Sequence, residues 1–237
     1  MLRNIKNKLR FLLGIKSETD YYSQGGEDAI VSKTFNFFIP VNKGFYLDIG
    51  AFHPYKHSNT YILYKAGWNG INIDPRPGSK QIFDRHRDRD INIEAGIGSR
   101  DGQMTYYFLG EDSTMNSFSK SNLERLGIFD QVKKTIDIPV FTVNTLLNRH
   151  PELKKLDYLN IDAEGFELEI LSGIDFKLIT PKVISIEQND ILTFNDVLDS
   201  EVCKFLTAKG YQPFAKNILL PDVSTVFYYN QNVGSIR

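Results

Sequence analysis

Four short apolar runs in this chain each finish on a carboxylate. They are Phe45-Tyr46-Leu47-Asp48, Gly70-Ile71-Asn72-Ile73-Asp74, Leu156-Asp157-Tyr158-Leu159-Asn160-Ile161-Asp162 and Val183-Ile184-Ser185-Ile186-Glu187. Near-continuous apolar runs of this length read as strands buried on both faces, the pattern of a parallel sheet covered by helices. Helix-like stretches separate them, near 26–38, 59–66, 78–86, 166–171 and 197–209. Strands alternating with helices predict an α/β sheet. Parallel strands that all end in acids gather those acids along one rim, and in open α/β sheets ligands bind at that rim.

The 237 residues carry no internal repeat and no linker that would divide them. One domain is expected over 21–237, with a β-rich insertion near 103–130 as a candidate acceptor lid. The net charge of −1 gives no global basic field, so nucleic acid is not an expected partner. The single cysteine, Cys203, has no internal partner for a disulfide and belongs to no zinc cluster; a reducing compartment, the cytoplasm, is the expectation. Residues 1–16 hold Arg3, Lys6, Lys8, Arg10 and Lys16, with Leu2, Ile5, Leu9, Leu12 and Leu13 on one helical face. This segment reads as a basic amphipathic helix, either docked on protein or in peripheral contact with the inner face of a membrane.

Gly50 follows the first strand, where a glycine lets the backbone turn sharply and approach a ligand. Ala51 leaves room beside it. Phe52, His53 and Pro54 fill the place where G-x-G-x-x-G would expose backbone to a pyrophosphate, which disfavours a dinucleotide and suits a nucleoside. Asp74, at the end of the second strand, has the chemistry to accept both vicinal hydroxyls of a ribose. Asp48 either orients the turn or meets a cationic ligand end.

On these residues the sequence resembles the FkbM-type methyltransferases. The matching stretches are SQGGEDAI at 23–30, DIGAFHPYKHSNTYILYKAGWNGINIDP at 48–75, LNIDAEGFELEILSGID at 159–175 and ISIEQND at 184–190. The resemblance implies a Rossmann-like class I fold, seven-stranded and mostly parallel with a C-terminal antiparallel strand. It also implies S-adenosylmethionine as cofactor and methyl transfer to a hydroxyl, most simply of a sugar in a glycan, polysaccharide or glycolipid precursor. Cofactor contacts are then expected from Gln24, Asp48, Gly50, Ala51, His53, Asn59, Asp74 and Pro75. Gln24 and Glu27 would help close the site.

An alcohol is a poor nucleophile, so methyl transfer to it needs an aligned oxygen and a base, or a metal that lowers the hydroxyl pKa. Asp162, Glu164, Glu187 and His57 are the candidates for that chemistry. Asp162 and Glu187, on neighbouring strands, also have the oxygen chemistry to hold Mg2+, with Asn189 and Asp190 completing the shell. Glu167 reads as a first-turn helix acid. The run Arg85–Asp90 reads as a solvated face that an anionic acceptor would meet. Two rival readings are a nicotinamide-dependent sugar oxidoreductase or epimerase, and a silent binding module of the same fold.

Overall fold

The computed structural model describes residues 20–233, so the basic segment at 1–16 lies outside the described residues. In chain order, α1 (Glu27–Lys33) runs into a π turn (Thr34–Phe38), followed by β1 (Phe45–Ile49), α2 (Tyr61–Lys65), β2 (Asn69–Ile73), α3 (Ser79–His86) and β3 (Ile91–Ile93). Next come β4 (Gly96–Ile97), β5 (Gly102–Phe108), α4 (Lys120–Arg125), β6 (Lys134–Phe141), α5 (Val143–Arg149) and β7 (Tyr158–Ile161). The chain continues with α6 (Glu167–Ser172), β8 (Val183–Asn189), α7 (Phe194–Asp199), α8 (Glu201–Ala208), β9 (Tyr211–Leu220) and β10 (Val223–Asn230).

Seven strands form one sheet in the order β3-β2-β1-β7-β8-β10-β9. The first five are parallel, and β10 lies antiparallel between β8 and β9. This is the class I methyltransferase order. The strand order reverses between β1 and β7, and that switch point opens the crevice where such sheets bind ligands.

Alternation along the strands divides the core in two. Leu47, Ile49, Ile71, Ile73, Leu159 and Ile161 pack on one face, while Tyr46, Tyr158 and Val183 pack with Phe35 and Trp68 on the other. That second face also carries a buried polar row. Asn92, Asn72, Asp48, Asn160 and Ser185 stand side by side on five strands in one register. The row is paired internally: Asn160 Nδ2 donates to Asp48 Oδ1 at 2.9 Å, Ser185 Oγ donates to Asn160 Oδ1 at 2.6 Å, and Thr60 Oγ1 caps Asp48 Oδ2 at 2.6 Å. A buried polar network of this kind is tolerable because its groups are mutually satisfied.

Several sequence expectations change here. The charged run at 85–90 is solvated at Arg85, His86, Asp88 and Arg89, but Arg87 is fully buried and Asp90 nearly so. Arg87 Nε donates to Asp90 Oδ2 at 2.9 Å, and its terminal nitrogens reach Pro54 O, Tyr46 Oη, Thr60 Oγ1 and Asn72 Oδ1. The helix expected over 26–38 loosens into a π turn after Lys33. That expected over 197–209 is two helices broken at Ser200, whose side chain caps the second by accepting from Cys203 N. At the C-terminal end β9 and β10 form a long antiparallel hairpin. The insertion is a separate sheet of order β4-β6-β5, and its strand β6 was not anticipated.

Candidate active site

Two residues beyond the polar row, the strands deliver Asp74, Gly50, Asp162 and Glu187 to the rim. The ladder hydrogen bonds extend to three of these. Asp74 N donates to Ile93 O, Gly50 N to Ile73 O and Asp162 N to Ile49 O, at 3.2, 2.9 and 3.0 Å. The rim therefore inherits its order from the register of the core, and opens a cleft of about 940 Å³.

On one side of the cleft, Gly50 turns with φ +80°. Asp74 Oδ2 accepts from Phe52 N at 2.9 Å and Oδ1 from Arg76 N at 3.0 Å. Each oxygen keeps a second lone pair for a ligand hydroxyl. Burial pushes the Asp74 carboxyl up to about 6, against the lowering effect of the Arg76 charge and the two backbone donors. Arg76 stacks its guanidinium 4.8 Å from the Phe52 ring centre and donates to Phe52 O and to Glu111 O. It thereby straps the insertion to the Gly50 turn. The insertion loop is itself fixed by Asn116, which accepts from Leu109 N at 2.7 Å and donates to Gly110 O at 2.8 Å. Ser113, Thr114 and Asn116 line the cleft from this loop.

On the other side stand Asp162, Glu164 and Glu187. One carboxylate oxygen from each lies within 4.8 Å of the others. Burial raises all three well above the ordinary carboxylate range; like charge adds to it, from Glu187 and Glu167 on Asp162, from Asp162 and Glu167 on Glu164, and from Glu164 and Glu167 on Glu187. Carboxylates raised together by burial and like charge beside a cleft mark a candidate acid–base or ligand site. Glu164 sits at φ +52° and Gly165 at φ +92°. Four hydrogen bonds hold this strained turn. Glu167 Oε1 accepts from Ala163 N and Gly165 N, both at 3.0 Å, while Ser117 Oγ and Asn122 Nδ2 donate to Glu164 O at 2.8 and 2.9 Å. Glu167 is the clasp of the turn, in keeping with its reading as a first-turn acid.

The cleft brings together Gln24, Gly50, Asn59, Asp74 and Pro75 with His57, Asp162, Glu164 and Glu187. Asp48, Ala51 and His53 do not line it. Asp48 is buried in the polar row, where it steadies Asn160, whose Oδ1 in turn accepts from Asn59 Nδ2 at 3.1 Å. Ala51 is buried behind the turn. His53 Nδ1 accepts from Lys56 N at 3.2 Å, and burial lowers its pKa, so it shapes the loop as a neutral ring. Asp190 turns away toward Arg125, 3.6 Å distant, and adds nothing to an oxygen shell at Asp162. Sequence reasoning missed Arg76, Tyr106 and Thr225, all of which line the cleft. Arg76 was in sight beside Asp74; Thr225 becomes legible only once the hairpin register is known.

A crevice at the switch point, a buried acid at the end of the second strand and an acid-rich turn after β7 have the layout of a class I methyltransferase site. The family profile described as methyltransferase FkbM domain matches residues 48–213. The chain belongs to that family of S-adenosylmethionine-dependent methyltransferases. Among solved structures, methyltransferase FkbM from Methylobacillus flagellatus KT is similar at 17% identity and TM-score 0.48; the alignment covers 79% of this chain and 44% of that one. The 1,6-didemethyltoxoflavin-N1-methyltransferase of Burkholderia thailandensis, with bound S-adenosylhomocysteine, shares 10% identity over 95% of this chain and 85% of that one, TM-score 0.45. Aeropyrum pernix fibrillarin, with natively bound S-adenosyl-L-methionine, shares 11% over 85% and 72%, TM-score 0.45. No curated protein matches the chain in sequence. Among the described residues no helix is long and apolar enough to cross a membrane.

Proposed function

We propose that this protein transfers the methyl group of S-adenosylmethionine to a hydroxyl, most simply of a sugar in a glycan, polysaccharide or glycolipid precursor. One observation carries the reading. A ribose-ready acid and a close-approach glycine share a cleft with three carboxylates that make no side-chain hydrogen bond among the described residues. Asp74 would accept the ribose hydroxyls, and Gly50 would let the cofactor lie against the backbone. In the transfer the acceptor oxygen forms its bond to the methyl carbon as the carbon–sulfur bond breaks. The hydroxyl proton then goes to a carboxylate of the Asp162–Glu164–Glu187 set, with His57 as a further candidate across the cleft. The insertion, strapped by Arg76, would serve as the wall and lid of the acceptor site.

The same three carboxylates suit Mg2+, which prefers oxygen ligands and would lower the hydroxyl pKa when bound. The deciding test is calorimetric titration with S-adenosylhomocysteine and with NADH, each with and without magnesium. Saturable binding of S-adenosylhomocysteine alone supports the reading, and magnesium-dependent tightening adds the metal to it. Binding of NADH instead would replace methyl transfer with nicotinamide chemistry. Binding of neither would favour a silent module. The cytoplasmic setting and the membrane contact of residues 1–16 belong to the same proposal.

A further inference from the structure

The guanidinium at the cleft wall is buried and incompletely paired. Arg76 follows Asp74-Pro75 at the end of β2, is 6% exposed and lines the cleft. The turn that places it is local: Asp74 Oδ1 accepts from Arg76 N at 3.0 Å, the short turn that an aspartate side chain favours. The guanidinium is then locked from several sides. Its terminal nitrogens donate to Glu111 O and to Phe52 O, and its carbon lies 4.8 Å from the Phe52 ring centre. Nε is left over. It is buried and has no hydrogen-bond partner among the described residues. Asp74 Oδ1 stands 3.7 Å away, too far for a direct hydrogen bond.

Polar groups this deeply buried are normally satisfied. An orphaned donor on a side chain already fixed at a cleft wall leaves a place for a ligand group to complete it. The neighbouring carboxylate narrows the chemistry of that group. Nε offers a donor and, beside it, ionised Asp74 Oδ1 offers an acceptor with a lone pair to spare. A carbonyl or phosphate oxygen accepts from Nε but brings no proton to Oδ1. An ammonium group brings the proton but leaves Nε bare. A hydroxyl answers both, because its oxygen accepts while its hydrogen is donated.

We propose that Arg76 is a second ribose-recognition residue, whose Nε donates to the same cofactor hydroxyl that donates to Asp74 Oδ1. This rests on the methyltransferase reading and deepens it. Asp74 alone accepts from any donor, whereas the pair selects a group that donates and accepts at one oxygen.

The test is calorimetric titration of the full chain with S-adenosylhomocysteine and with its 2′-deoxy and 3′-deoxy forms. The parent should bind both deoxy forms at least tenfold more weakly, since each lacks a donor to one Asp74 oxygen. Arg76→Lys keeps the positive charge but has no Nε–H in that place. It should bind S-adenosylhomocysteine about tenfold more weakly than the parent, yet bind one deoxy form within threefold of the parent. Discrimination against the other deoxy form should survive. Equal losses for all three ligands would make Arg76 a strap alone and overturn the proposal, as would an unchanged affinity for S-adenosylhomocysteine or a parent indifferent to both hydroxyls. NMR of the parent reads the same contact without a variant. The Arg76 Nε–H resonance should move downfield with S-adenosylhomocysteine and stay near its free position with one deoxy form; a resonance that responds alike to all three ligands overturns the proposal. A parent that binds none of the three would strike the methyltransferase reading, and this proposal with it.

Discussion

Gly50 lies directly against the main chain of Asp162: a Cβ built on Gly50 would fall 1.6 Å from the Asp162 carbonyl oxygen. The Gly50 turn and the acid turn after β7 thus touch backbone to backbone, and only glycine permits it. Gly50→Ala adds that collision to a φ of +80°, which L-residues resist by about 1–2 kcal/mol. Overpacking contributes about 1–3 kcal/mol more. The variant should melt on the order of 10 °C below the parent and lose S-adenosylhomocysteine binding, as read by thermal denaturation with and without the ligand. A parent-like melting temperature would mean that the two turns can separate freely.

With Asp74 holding the ribose as proposed, cofactor binding should depend on pH. Its carboxyl is raised to about 6, so the folded protein holds that proton more tightly than the unfolded chain does. The stability that comes from protonation is present in full below about pH 4 and is lost as pH rises through about 6, in total roughly 3 kcal/mol. Ribose hydroxyls donate to the ionised form and so work in the opposite direction. The rise in melting temperature produced by S-adenosylhomocysteine should therefore be larger at pH 7.5 than at pH 5.5. Asp74→Asn should lower the affinity at least tenfold and flatten this dependence; equal ligand effects at both pH values would remove Asp74 from the cofactor site.

Arg87 and Asp90 carry a prediction about stability. They form a fully desolvated pair at 2.9 Å beneath the Gly50 turn. Breaking one partner of a buried pair strands the other and costs about 3–5 kcal/mol. Arg87→Met should therefore lower the urea midpoint strongly and release Pro54, Thr60 and Tyr46 together. Removing the exposed Lys80–Asp84 pair should change it by less than about 0.5 kcal/mol. Added salt should weaken only the second. Comparable effects from the two pairs would contradict the burial of the first.

These residues also show what the sequence could and could not disclose. Strand identity was legible, because β1, β2, β7 and β8 are buried on both faces and hold near-continuous apolar runs interrupted only by the polar row. The rim acids Asp74 and Asp162 were legible for the same reason: a carboxylate directly after such a run has few other places to go. Arg87 was not, since a charged run of six residues looks solvated until tertiary packing brings Tyr46, Asn72 and Thr60 around one guanidinium. Asp48 misled in a related way, sitting one residue inside the strand and therefore in the polar row rather than at the cleft. β6 was hidden although Thr135–Val140 alternates polar and apolar residues, because Pro139 within the run argues against a strand and the pairing with β5 spans a long insertion. Thr225 depended on a hairpin register that local pattern does not encode.

Glu167 separates turn geometry from chemistry. Its Oε1 alone accepts from both Ala163 N and Gly165 N. Glu167→Gln keeps an oxygen acceptor and should retain most turnover, whereas Glu167→Ala frees a turn already strained at Glu164. In the alanine variant kcat should fall at least tenfold, with S-adenosylhomocysteine affinity changed less than threefold. Loss of ligand affinity equal to the loss in kcat would place Glu167 in the cofactor site instead.

The three clustered carboxylates oppose stability and serve chemistry at once. Their folded pKa values are all raised, so each favours the folded state while protonated and withdraws that stability as pH rises above the ordinary carboxylate range. The ligand-free protein should therefore melt at a lower temperature at pH 8 than at pH 5.5, with Asp74 contributing in the same direction. Removing one negative charge relieves the other two. Glu164→Gln and Glu187→Gln should each raise the melting temperature at pH 8 by a few degrees and make it less dependent on pH. Turnover should move the other way, falling by about 10²–10⁴-fold in whichever variant removes the base. In the parent, turnover should rise with pH as that carboxylate ionises. A melting temperature insensitive to pH in parent and variants alike would mean that these carboxylates are not held together in the apo protein.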